Sequence, residues 1–115
     1  GYTLPNGAVR SPDASWVSNE RLAGLTPAQL EKFPPVCPDF VIEIRSPGDA
    51  MAKLKDKRRE YMDNGCRLGW LIDRSREQVF IFRANGTVSL LERFDQPVSG
   101  EEVLPGFEVV LAELL

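Results

Sequence analysis

The segment PDFVIEIRSP, residues 38–47, decides the fold, because it reads as a buried β-strand with an acid in its middle. Val41, Ile42 and Ile44 are the branched apolar residues of a strand covered on both faces. Glu43 interrupts them. An ionised carboxylate in such a place is costly unless it has a cation, a metal or solvent beside it. After the turn SPGD (46–49), a helix is predicted from about residue 50 to 64, with Asp49 as N-cap and Gly65 as left-handed terminator. A helix directly after a strand is a crossover, so the next strand, RLGWLID (67–73), should run parallel to the first. QVFIFR (78–83) and TVSLLER (87–93) are two further strands, joined by hairpin-type turns and therefore antiparallel. The fold class is α/β with a mixed sheet.

Outward from this centre the pattern is weaker. GYTLPNGAVRSPDASWVS (1–18) carries a turn at Pro5-Asn6-Gly7 and an extended run from Val9 to Val17, interrupted at Pro12. TPAQLEKF (26–33) predicts a short helix, with Thr26 as N-cap, Pro27 at its first position and Pro34 as its stop. VLPGFEVVLAELL (103–115) gives a turn, a short extended piece and a terminal helical turn. A start at a turn suggests that elements preceding Gly1 belong to the fold. One long helix cannot cover both faces of the sheet, so we expect either pairing with a second copy or an exposed apolar patch.

Composition removes several kinds of chemistry. At 115 residues, 43% hydrophobic and 27% charged, the chain fits one globular domain. It has no histidine, which excludes Ser-His-Asp and Cys-His catalysis and a histidine base. Cys37 and Cys66 form no close-spaced metal or redox motif and fit a reduced, cytoplasmic setting. No apolar run approaches the roughly 20 residues of a membrane span. A net charge of −3 gives no general pull on nucleic acid, so binding there needs a local basic patch. KLKDKRRE (53–60) is the obvious candidate, although its interspersed acids also fit a solvated face with i,i+4 pairs. Trp16, Trp70, Phe80 and Phe82 sit at strand positions and read as core.

The chemistry therefore rests on carboxylates and lysine. Pro12-Asp13 and Glu43 lie on two predicted strands, and Lys57 falls between Leu54 and Tyr61 on the predicted inward stripe of the helix. Two carboxylates on neighbouring strands can share Mg²⁺, or Mn²⁺ in its place, and a lysine nearby can orient or deprotonate the attacking water. That combination suits phosphodiester hydrolysis. Ordinary ion pairs are the competing explanation, with Glu43 satisfied by Lys57 or Arg45 and Asp13 serving a turn. Asp39 shares a strand face with Val41 and Glu43, so it either joins the acids or caps the strand's beginning.

RSPDASWVS, CPDFVIEIRSP, KRREYMDNGCRLGWLID and LPGFEVVLAELL, in this order and spacing, resemble the Uma2 family (DUF820) of restriction-endonuclease-like proteins, within the PD-(D/E)XK nuclease superfamily. The resemblance implies a restriction-endonuclease-like core, a mixed sheet flanked by helices, in a single domain over residues 1–115 that lacks its N-terminal helix and strand. It implies a metal-dependent DNA endonuclease, and a dimer, because cutting two strands needs two sites. Asp13 stands as the acid of the "PD", Glu43 as the acid of the second half-motif, and Asp13, Glu43 and Ile44 as the metal ligands. The superfamily's lysine position is Arg45 here, so the lysine role falls to Lys57. Arg45, Asp39 and Tyr61 are further candidates for the site. A catalytically silent nucleic-acid-binding or protein-interaction module with the same fold is the alternative function.

Overall fold

In the computed structural model, which describes residues 1–115, strands β1 (Tyr2–Thr3) and β2 (Val9–Arg10) pair antiparallel around the predicted turn. Gly7 takes a φ of 87° there, a conformation that favours glycine. Pro12 breaks the extended run, and β3 (Ala14–Trp16) starts after Asp13. Two short helices follow, α1 (Asn19–Leu22) and α2 (Pro27–Glu31). Thr26 and Gln29 close a capping box on α2, as its sequence predicts. The α1 helix lies between the predicted elements, and its one signal is Ser18, whose hydroxyl accepts from the Arg21 amide.

Next come β4 (Phe40–Arg45), α3 (Met51–Asp63), β5 (Leu68–Asp73), β6 (Gln78–Arg83) and β7 (Val88–Leu91). A hairpin of β8 (Pro97–Ser99) and β9 (Glu108–Val110) and a 3-10 turn (Leu111–Glu113) complete the chain. The main sheet has the order β3-β4-β5-β6-β7. Only β4 and β5 are parallel, the pair that α3 connects. Asp49 does not cap α3. Its carboxylate accepts the Ser46 amide at 2.9 Å and closes the turn, leaving Ala50 at the cap without a side-chain bond. Gly65, at a φ of 106°, ends the helix as predicted.

Alternation along β4 sends Val41 and Glu43 toward α3 and Phe40, Ile42 and Ile44 toward the other side. On the α3 side, Leu54 packs against Leu71 and Phe82, and Tyr61 packs against Val41. On the other, Phe40, Trp70 and Val79 lie beneath Phe94, Val98 and Leu111. Both faces are thus largely covered, contrary to the expectation that one long helix would leave a face bare. The reason is the C-terminal hairpin, whose three-residue strands are too short for a clear alternating signal. An apolar patch does remain beside the edge strand β3, in a groove of about 510 Å³ lined by Trp16, Ile42, Leu104 and Phe107. Trp16 is 38% exposed, so it is surface and not core. No helix is long and apolar enough to cross a membrane.

Candidate active site

The antiparallel register sets Ala14 opposite Ile42, so one residue further Asp13 stands across from Glu43. Asp13 is fixed there by its Oδ2, which accepts the Ile44 amide at 2.7 Å. Asp13 lies one residue beyond that ladder, close enough for its charge to act on the Glu43 carboxyl. Glu43 is only partly buried, because β4 emerges toward solvent over its second half. Burial nevertheless raises its pKa from 4.5 to about 7, and the charge of Asp13 pushes in the same direction. Lys57 and the Tyr61 hydroxyl oppose them by favouring the ionised form.

Lys57 itself is exposed and forms no ion pair. It lies on the flank of α3, since the inward stripe runs through Leu54, Arg58 and Tyr61 at i, i+4 and i+7. Arg58 is the cation at the stripe's centre, its guanidinium 3.9 Å from the centroid of the Phe82 ring. Lys57 faces the Glu43 side of the helix instead, near enough for its charge to act on that carboxyl. Tyr61 is 1% exposed, and its hydroxyl favours the ionised form of the same carboxyl from a fixed ring.

Arg45 and Asp39 are occupied elsewhere. Arg45 pairs with Asp73 at 3.0 Å and donates from Nε to the Asp49 carbonyl. Asp73 carried no signal as a single residue, but the parallel register sets it beside Arg45, and Ser75 also donates to it. Asp39 accepts the Ser18 amide at 2.7 Å and pairs with Arg21 and Arg67. Four residues of extended chain, about 13 Å, separate it from Glu43, so it closes the far end of the strand. The i,i+4 pairs expected along α3 do not form, and Glu60 pairs with Arg10 of β2 instead.

No group of three or more His, Cys, Asp or Glu side chains is placed to hold an ion. An ion at Asp13 and Glu43 would therefore use those two carboxylates, a backbone oxygen and water. That donor set fits magnesium, which commonly keeps several waters and takes one or two carboxylates. Ile44 has only its backbone to offer, because its side chain packs in the opposite core. Burial first and the charge of Asp13 second raise the pKa of Glu43, and a divalent ion there would relieve the second.

A mixed five-stranded sheet with a helical crossover between its parallel strands is the restriction-endonuclease-like class of α/β protein. The chain belongs to the Uma2 family, described as "Putative restriction endonuclease", whose model matches residues 1–112. A similar solved structure is the crystal structure of "a putative nuclease belonging to DUF820" from Anabaena variabilis, with a TM-score of 0.61 and 24% identity. The match covers 68% of this chain and 44% of that one, so the chain spans less than half of its structural relative. No curated protein matches the sequence.

Proposed function

We propose that the protein is a Mg²⁺-dependent endodeoxyribonuclease, with Asp13, Glu43 and the Ile44 backbone as the metal-binding groups. The observation that carries this reading is the bond from the Ile44 amide to Asp13, which holds one acid against another whose pKa already stands near 7. A divalent ion bound there would offset charge on the phosphate and make the nucleophilic water more acidic. Lys57 orients that water from the flank of α3, and its cation favours the ionised Glu43 that the metal needs. The Tyr61 hydroxyl would favour the ionised Glu43 from the buried side. Two copies acting together would supply the two sites that cutting a duplex requires, and the two free buried thiols suit the reducing cytoplasm.

One observation favours a catalytically silent binding module. The superfamily's lysine position is Arg45, whose guanidinium is committed to Asp73. Supercoiled plasmid incubated with the protein and Mg²⁺ or Mn²⁺, beside a Glu43→Ala control, separates the two. Nicking that needs the metal and disappears in the control supports the nuclease. Retention in a gel without nicking supports the silent module.

Tyr61→Phe keeps the ring in its core and removes the hydroxyl next to Glu43. Nicking should fall by about tenfold, the scale of a partner that orients a metal ligand. An unchanged rate would take Tyr61 out of the site.

A further inference from the structure

Of fourteen lysines and arginines, six arginines are in ion pairs: Arg10, Arg21, Arg45, Arg67, Arg83 and Arg93. Seven of the other eight are gathered in two places. Five lie on α3, two (Arg74 and Arg76) lie on the turn between β5 and β6, and Lys32 alone lies elsewhere. Because β4 and β5 are parallel, both finish at the same end of the sheet, where α3 begins after one strand and the turn leaves the other.

Between those exits is an open cleft of about 760 Å³. Ile44, Arg45 and Asp73 line it together with Arg74, Arg76 and Glu77. Arg45 and Asp73 neutralise each other, so the free charges are two guanidiniums against the single carboxylate of Glu77. Arg45, two residues after Glu43 on the same face of β4, joins this cleft to the paired acids. Those acids and a net charge of −3 repel a polyanion, so a strand entering the site must be held by local cations. Arginine suits that task through its permanent charge and its fork of donors, which matches a phosphate.

We infer that this cleft seats the sugar-phosphate backbone of the DNA strand approaching Asp13 and Glu43, with Arg74 and Arg76 as its phosphate contacts. The inference rests on the nuclease reading and adds where the substrate lies. It is tested by binding of a short fluorescent DNA duplex in the presence of a chelator, so that nothing is cut, across a salt series. The double variant Arg74→Ala/Arg76→Ala should bind about tenfold more weakly, and its slope of log K against log salt should be shallower by about 1.8, or 0.9 for each lost contact. Lys32→Ala, which removes an unpaired cation away from the cleft, should leave the slope unchanged. Thermal melting of each variant shows that the fold is kept, since the altered side chains are exposed.

An unchanged slope in the double variant, with the parent binding normally, would overturn the cleft assignment and leave the nuclease reading standing. An equal weakening by Lys32→Ala would do the same, because the effect would then be one of net charge. Failure of the parent protein to bind the duplex at low salt would overturn the DNA reading itself, and this inference with it.

Discussion

Lys57→Met should lower metal-dependent plasmid nicking by about 10²–10⁴-fold, the usual contribution of a positioned group that handles the proton of an attacking water. The expectation follows from where the side chain stands. Lys57 is exposed and bound to no carboxylate, so the fold gains little from it, while its charge acts on Glu43. Methionine keeps most of the stem's contacts and removes the cation. Thermal melting should therefore change little, since exposed positions away from special features usually alter stability by within about 0.5 kcal/mol. Loss of nicking with an unchanged melting temperature is the signature of a residue kept for chemistry. Arg45→Met gives the contrasting pattern, because it strands the buried Asp73 carboxylate and so destabilises the protein. Parent-like cleavage by Lys57→Met would return Lys57 to the solvated surface.

The central architecture was legible because local and long-range signals coincide there. The alternation through Val41, Ile42 and Ile44, the helical stretch that follows and the Gly65 stop leave a parallel crossover as the natural connection, and β4, α3 and β5 form it. The paired acids were legible for a related reason. Once β3 and β4 are neighbours, only the register is missing, and the Asp13 bond to Ile44 supplies it. What could not be read off were contacts between elements far apart in sequence. Nothing near Glu60 announces Arg10, and nothing near Arg45 announces Asp73. Lys57 was misplaced by a matter of angle. The stripe through Leu54 and Tyr61 includes Arg58 rather than Lys57, and one residue on a helix is 100° of rotation. The second core layer escaped because β8 and β9 are three residues each, and such strands form through tertiary packing more than through local pattern.

Glu43→Gln should make the protein more stable at pH 8 while removing its response to magnesium. In an unfolded chain the Glu43 carboxyl titrates near 4.5, and in the fold near 7. Between those values the folded state binds more protons than the unfolded one, so stability falls as the pH rises through this window. Above pH 7 the carboxylate is charged, partly buried and next to Asp13, and the whole penalty is present. With each tenfold in acidity worth about 1.4 kcal/mol, the gap from 4.5 to about 7 corresponds to about 3.5 kcal/mol before screening. Partial exposure of the group reduces this to about 2 kcal/mol. The neutral amide escapes the penalty, so urea melts of parent and variant should differ by about that amount at pH 8 and converge below pH 4.5. Magnesium should reverse the order. An ion bound only by the folded parent at a hundred times its dissociation constant adds about 2.7 kcal/mol, and the variant should gain much less. A side chain that weakens the bare fold and strengthens the metal-bound one is placed for the ion. A variant less stable than the parent at pH 8 would show that Glu43 serves the fold, and equal stabilisation of both proteins by magnesium would put the ion elsewhere.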